Sequence, residues 1–322
     1  MKLAALKSSI AFRLATAAAA LVLFWLLSRR VDLPRLGLAL RGASIAPLAW
    51  AMALNVTANT FAKVRRWAAL LRPLPGPPRR PGTWELARLL WAGGAVSNLL
   101  PARAGEALRA VELRRRGYPL SGMVTAQLLE KGVELLSIGV QAALALIFLG
   151  PPKALLPPLW IAAGAAAGLC AVLLVLGRVR APPKTLPPEA GRVARAVHAL
   201  RSHAGAQLSP RVWLPSLGWS IASDAVDVLT VGLSLSALGI ALPPAAWAAV
   251  FVVVNLAIAV PSTPGYVGAI EAAAVFALTA LGVEPERALA AALVYHAVHF
   301  LPTTALGALA LRLRPVPAAE AA

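Results

Sequence analysis

Long runs without a charged residue constrain this chain more than any other feature of its sequence. Asp, Glu, Lys and Arg are all missing from residues 42–62, 135–152, 154–177, 228–270 and 288–311. A helix needs about 20 predominantly apolar residues to cross the hydrocarbon core of a bilayer. Only 14% of the 322 residues are charged, against about 25% in soluble domains. The sequence therefore predicts an all-α polytopic membrane protein.

The basic residues flank these apolar segments, and this placement accounts for the net charge of +18. Nucleic-acid-binding proteins carry basic patches on soluble modules; no such module is visible, and we expect no nucleic-acid partner. Cys170 is the single cysteine, which excludes an intramolecular disulfide and a Cys-based zinc motif. His296 and His299 lie on adjacent turns without a clear third ligand, which favours packed histidines. We expect neither a metal nor a cofactor.

The order of the apolar segments predicts about six full spans and two broken hairpins. We place the spans near residues 10–27, 43–62, 122–149, 155–177, 212–238 and 288–311. Residues 84–116 and 245–281 each combine an apolar run, a Pro/Gly break and a second helical run. Proline removes a backbone donor and glycine loosens a helix, so each segment is predicted to be a re-entrant hairpin. We treat the first span as retained, because no small-residue cleavage site follows it.

The distribution of Lys and Arg predicts a cytoplasmic membrane protein with both termini inside. If the two hairpins return to the side they entered, most of the 31 Lys and Arg residues fall in inside segments, as the positive-inside rule requires. The loop 178–211 is then inside, and residues near 153 and 284 are outside. Within that loop, residues 187–208 carry basic side chains on one face and apolar ones on the other. This pattern predicts an interfacial helix or a solvated loop helix.

The two hairpins have opposite predicted orientations, which suggests an inverted-topology repeat within one transmembrane domain, residues 1–322. Each hairpin is preceded by two spans and followed by one, and PARAG at 101–105 corresponds to PSTPG at 261–265. The halves are residues 10–149 and 155–311. Inverted-repeat transporters form their substrate site at corresponding helix breaks near the membrane midplane. A chance similarity of Ala-rich helices is the alternative.

Four sequence blocks around these breaks carry a family resemblance. They are RRW at 65–67, NLLPARAGEALR at 98–109, LEKGVE at 129–134 and PSTPGYVGAIE at 261–271. Together they resemble the transmembrane region of lysylphosphatidylglycerol synthases and its stand-alone relatives, the flippase-like membrane proteins, over about residues 60–310. The chain has EK at 130–131 where this family tends to have Glu-Arg, and YH at 295–296 where it tends to have Tyr-Arg.

The resemblance implies that the chain handles a lipid. Such a protein would move an aminoacylated or glycan-bearing lipid across the bilayer, or would support that movement. The synthases transfer the aminoacyl group with a separate soluble domain, whereas only a short tail follows Arg314 in this sequence. We therefore expect a stand-alone protein and do not transfer the synthase activity to it.

Charged residues inside the predicted spans and hairpins form the candidate site, because burying a charge in a membrane costs about 2.5–3.5 kcal/mol. Arg103 and Arg109 flank the first break, and a guanidinium binds phosphate in bidentate fashion. We predict that they bind a lipid phosphate with help from Lys131, and that Gly105 and Gly265 let the backbone approach the head group. The remaining charges, which would hold a cation, take up a proton or meet these bases, are Glu106, Glu130, Glu134, Asp224, Asp227 and Glu271.

The same residues also have a structural interpretation. Glu106 with Arg109, and Glu130 with Lys131, are equally well explained as internal ion pairs that hold the broken helices in place. Capping of the preceding loop explains Glu271 at least as well as substrate contact does.

The leading functional hypothesis is a lipid flippase-like transporter for a phospholipid or a polyprenyl-linked lipid. One alternative is a membrane enzyme that transfers a group on a lipid carrier, with Glu106 or Glu130 as general base. Another is an accessory scaffold for an envelope lipid enzyme. Because no catalytic motif is recognisable, transport is favoured. The expected partners are an anionic or phosphate-bearing membrane lipid and envelope-synthesis enzymes.

Overall fold

The computed structural model describes residues 33–100, 104–176, 191–259 and 263–313, and every regular element within these ranges is helical. The α-helices are α1 Leu33–Arg41, α2 Ile45–Leu54, α3 Thr60–Leu71, α4 Thr83–Leu99, α5 Ala104–Arg115, α6 Leu120–Leu149, α7 Leu156–Leu176, α8 Arg192–Gln207, α9 Pro210–Ala237, α10 Pro244–Ala259, α11 Ala269–Ala280 and α12 Pro285–Arg312. A π-helical turn, Asn55–Asn59, joins α2 to α3, and 3-10 turns at Lys153–Leu155 and Pro264–Tyr266 precede α7 and α11. The predicted all-α fold is confirmed.

Four helical segments in the described ranges are long and apolar enough to cross a membrane. They are α6, α9, α12 and Lys153–Val175, which contains most of α7. Helix α10 and the segment Pro264–Ala280 are shorter apolar helices. These elements correspond to four predicted spans and to the second hairpin, and they confirm a polytopic membrane protein. The first predicted span, residues 10–27, lies outside the described residues.

The second predicted span, residues 43–62, is longer in the structure. Helix α2, the π turn and α3 form one helical stretch from residue 45 to residue 71. The sequence suggested an end near Lys63, because basic residues commonly flank a span. Arg66 is instead buried, and its guanidinium donates hydrogen bonds to carboxylates of α6. The helix therefore continues past these charges into the bundle.

Each predicted hairpin contains two helices that pack against each other, and residues 101–103 and 260–262 between these helices lie outside the described ranges. Helices α4 and α5 pack against each other, and so do α10 and α11. A β carbon on Gly105 would overlap the carbonyl oxygen of Gly93, so the first hairpin requires glycine at this contact. The two hairpins also meet, since a β carbon on Gly265 would lie 3.1 Å from the carbonyl oxygen of Asn98. The inverted relation of the two halves stays a prediction.

The apolar core has two parts. One surrounds α10, whose residues 248–254 are almost fully buried, as expected for a helix enclosed on all sides. The other surrounds Trp67 on α3 and includes Leu70, Leu113 and Met123. The second part brings α3, α5 and α6 together, and α5 and α6 carry most of the candidate charges.

The loops predicted to lie inside gather at one end of the bundle. The guanidinium of Arg80 lies over the ring of Tyr118, 5.6 Å from its centroid. Helix α8, within the predicted segment 187–208, packs against α6 at this end, and Gln207 donates a hydrogen bond to the carbonyl of Leu70 at 3.1 Å. The helix predicted in this loop is thus present, and it is attached to the bundle.

Segments predicted to lie outside gather at the opposite end. The backbone N–H of Ser44 donates to the carbonyl of Ala237 at 2.8 Å. Arg287 donates to the carbonyl of Leu238 at 2.9 Å, and the turn Lys153–Leu155 contacts α11. The grouping of the loops agrees with the predicted topology, and the side of the membrane that each end faces stays a prediction.

Candidate functional site

A polar cavity of about 230 Å³ lies among α3, α4, α5, α6 and α12. We call it the central cavity. Its charged lining residues are Lys63, Arg66, Glu106, Arg109, Glu130, Lys131 and Glu134. These four cations and three carboxylates give the lining itself one net positive charge.

Glu130 lies at the centre of the charge network and is 2% exposed. One carboxylate oxygen accepts hydrogen bonds from Arg66 at 2.8 Å and from Arg109 at 3.4 Å. The other accepts from the indole N–H of Trp67 at 3.0 Å and from Arg109 at 3.3 Å. The guanidinium of Arg109 also lies over the Trp67 ring, 4.5 Å from its centroid. Because donors occupy both oxygens, Glu130 is poorly placed to act as a general base.

Lys131 belongs to the more accessible part of the network. Its ammonium nitrogen lies 3.1 Å from Glu106 and 3.0 Å from Glu134. Glu134 also accepts a hydrogen bond from Arg66 at 2.6 Å. The Lys131 side chain is 38% exposed, and an ammonium has three donors. Two of these donors face carboxylates, which leaves one for a ligand in the cavity.

The ion partners differ from those that the sequence suggested. Arg109 pairs with Glu130, and Lys131 pairs with Glu106 and Glu134. Glu130 and Lys131 are adjacent on α6, and adjacent residues of a helix point in different directions. Because α5 packs against α6, their charges pair mainly with residues of neighbouring helices. The network thereby ties the first hairpin to α6.

The two glycines predicted to approach a head group occupy different places. Gly105 lines the central cavity, and its N–H donates to the hydroxyl of Ser97 at 3.2 Å. Gly265 does not line it; this residue has a φ of 61°, and a β carbon there would lie 2.7 Å from the Phe300 ring. A left-handed backbone and close packing account for glycine at 265. Arg103, the remaining predicted phosphate ligand on the first hairpin, lies outside the described residues.

A second polar cluster surrounds Asp227 on α9. Asn59, the last residue of the π turn, donates its amide to Asp227 and accepts a hydrogen bond from Ser223 at 2.7 Å. The Nε2 of His299 lies 3.0 Å from Asp227, and the ammonium of Lys63 lies 3.8 Å from it. Because Lys63 also lines the central cavity, the cluster adjoins the cavity. π turns occur frequently at functional sites.

Asp224 and Glu271 do not line the central cavity. Asp224 is buried on α9, one turn before Asp227. Glu271 accepts a hydrogen bond from the backbone N–H of Gly268 at 2.6 Å and lies 2.6 Å from the Nδ1 of His296. These contacts fix the start of α11, in agreement with the structural interpretation of Glu271.

Sequence reasoning missed Lys63 and Arg66 as cavity residues. Both were assigned to the inside flank of the second span, since exposed basic residues are common there. The RRW block at residues 65–67 was the available signal, because Arg66 and Trp67 both contact Glu130.

A family model described as Lysylphosphatidylglycerol synthase TM region matches residues 10–307 of the chain. The matched segment includes both hairpins and every residue that lines the central cavity. No curated protein matches the chain.

Proposed function

Since the chain belongs to the lysylphosphatidylglycerol synthase TM region family, we propose that it is a lipid transporter that moves a phosphate-bearing head group through the central cavity. Its lipid is a phospholipid or a polyprenyl-linked lipid of the cytoplasmic membrane, and both of its termini lie inside. One observation carries the proposal: a polar cavity among five helices of the bundle is lined by four cations and three carboxylates.

The chemistry of lipid movement explains why such a cavity is useful. An ionised phosphate in hydrocarbon loses its hydration, which is very costly unless opposite charges replace the lost water. Charged residues within membrane helices usually face a wet cavity and mark a substrate pathway. A volume of about 230 Å³ equals roughly eight waters at about 30 Å³ each. It accommodates a head group, while the acyl chains remain in the bilayer.

The accessible lysines are the proposed phosphate ligands in the described part of the cavity. The side chains of Lys131 and Lys63 are 38% and 37% exposed, whereas those of Arg66 and Arg109 are 3% and 8% exposed. The two arginines hold the network together and supply positive charge behind the lysines. A phosphate would replace Glu106 or Glu134 as the partner of Lys131, so these carboxylates compensate the charge when no lipid is bound. Arg103 is proposed as a further ligand.

Reconstitution tests this function. Purified protein is placed in vesicles that contain head-group-labelled phosphatidylglycerol, and a membrane-impermeant quencher reports the rate at which label reaches the outer leaflet. A hydrogen bond to a charged group contributes about 1.5–3 kcal/mol. Lys131→Met protein should therefore move the labelled lipid about tenfold or more slowly than the wild type. Lys153→Met removes the same charge from a turn outside the cavity and should leave the rate unchanged.

Folding is checked by size-exclusion chromatography, so that loss of protein is not mistaken for loss of transport. Equal rates for folded Lys131→Met and Lys153→Met protein would overturn the proposed role of the cavity. Wild-type rates no higher than those of protein-free vesicles would overturn transport of this lipid.

A further inference from the structure

A second, larger cavity of about 440 Å³ lies where the end of α3 and the chain that follows it meet the start of α9. We call it the basic groove. Its charged lining residues are Arg65, Arg72, Arg80 and Arg211. No carboxylate is found among the described residues that line it. The groove thus concentrates positive charge without internal compensation, unlike the central cavity.

One of the four arginines has a structural role. Arg80 donates hydrogen bonds to the carbonyls of Leu71 and Leu74, at 3.0 and 2.9 Å, and so satisfies acceptors at the end of α3. Arg72 and Arg211 are exposed. Bringing like charges together is unfavourable without a counter-ion, and arginine forks match the oxygens of phosphate. An anion with several oxygens is therefore the expected ligand.

Aromatic side chains continue the groove away from its arginines. The guanidinium of Arg65 lies over the ring of Trp219, 5.7 Å from its centroid. The Trp219 ring also meets the ring of Phe61 edge to face, with 5.7 Å between the ring centroids. Phe61 is 49% exposed and lies near the start of α3, about 16 Å from Arg72 just after its end, at 1.5 Å per residue. The arginines, the Trp219 ring of α9 and the exposed Phe61 side chain thus follow one another along the direction of α3.

This order matches that of a phospholipid, in which a charged head group is followed by an interfacial region and acyl chains. Tryptophan is enriched at the membrane–water interface, and anionic lipids attract basic residues there. We propose that the basic groove binds the phosphate of an anionic phospholipid, whose acyl chains lie along Phe61. Inorganic phosphate shares the head-group chemistry but lacks the acyl chains.

The basic groove is separate from the central cavity. Arg65 faces Trp219, whereas the next residue, Arg66, faces Glu130. Helix α3 therefore stands between the two sites. The inference concerns binding at equilibrium and does not depend on the proposed transport, so either can fail while the other holds.

Native mass spectrometry of the full chain in uncharged detergent tests the proposal. The protein is titrated with phosphatidylglycerol or phosphatidylcholine, and the bound lipids are counted. The double variant Arg72→Gln, Arg211→Gln should weaken phosphatidylglycerol binding about tenfold or more, because it loses two charge-assisted contacts. The matched variant Arg114→Gln, Arg115→Gln removes two exposed arginines of α5 and should bind as the wild type does. Equal weakening in both variants would mean general surface attraction and would overturn the proposal.

A second variant separates the lipid from free phosphate and keeps all arginines. Phe61→Ser should weaken phosphatidylglycerol binding and leave any binding of inorganic phosphate unchanged, since only the acyl chains touch this position. Equal binding of phosphatidylglycerol and phosphatidylcholine, or displacement of phosphatidylglycerol by millimolar inorganic phosphate, would contradict an anionic phospholipid as ligand. Size-exclusion profiles identify any variant that fails to fold.

Discussion

Replacing Glu130 with glutamine is expected to destabilise the folded protein strongly. The substitution preserves size but removes the charge that lies 2.8 Å from Arg66 and 3.3 Å from Arg109. The side chains of Glu130 and Arg66 are each 3% exposed, and that of Arg109 is 8% exposed, so water from the central cavity can replace the lost carboxylate only in part. Removing one partner of a buried ion pair costs about 3–5 kcal/mol. Because Arg66 keeps Glu134 at 2.6 Å, we expect a loss of about 3 kcal/mol.

The free energy of unfolding is measured by titrating purified protein in mixed micelles with a denaturing detergent and following its helical circular dichroism. The matched control is Glu112→Gln, whose partner Arg115 is 71% exposed; this change should cost less than about 1 kcal/mol. Adding Arg109→Met to Glu130→Gln should restore part of the lost stability, because it removes an orphaned cation. If Glu130→Gln and Glu112→Gln lower the free energy of unfolding by the same amount, the reasoning is refuted.

Two further predictions concern packing and topology. Gly105→Ala should lower the free energy of unfolding by at least about 1–3 kcal/mol, because its β carbon would overlap the carbonyl oxygen of Gly93. The control Gly164→Ala meets open space and should express as the wild type does. Similar yields of folded protein from the two variants would argue against the close helix contact. In a background without the native cysteine, Lys153→Cys should react with an external impermeant reagent while a cysteine at residue 190 should not, and the reverse pattern would invert the predicted topology.

Most helices could be predicted from the sequence because their signals are local. Uncharged runs gave α7, α12 and the second half of α6, and Pro/Gly breaks located both hairpins. The continuation of the second span to residue 71 was missed for a physical reason. A basic residue near the end of an apolar run is usually solvated, and Arg66 is buried only because carboxylates of α6 face it. That compensation depends on tertiary packing, and the RRW block at residues 65–67 is the available signal of it on α3 itself.

In the candidate site, too, local signals in the sequence identified residues, whereas contacts between helices could not be predicted. The position of Arg109, Glu130 and Lys131 inside apolar segments identified them as site residues, because a charge within a membrane is costly and usually faces a wet cavity or an opposite charge. Their partners could not be derived from spacing, since the pairing of Arg109 with Glu130 depends on how α5 packs against α6. The basic groove was also missed, because Arg65 and Arg211 come from distant segments that meet only in the fold.

Blocking the central cavity in reconstituted protein is the most direct test of the proposed transport. Ser97 lines the cavity, and Ser97→Cys on a Cys170→Ala background supplies a thiol that a bulky maleimide can modify after folding and reconstitution. We expect the unmodified variant to move labelled phosphatidylglycerol and the modified one to fall to the rate of protein-free vesicles. The same modification of Lys153→Cys should have no effect. Undiminished movement after complete modification of Ser97→Cys would contradict passage of the head group through this cavity.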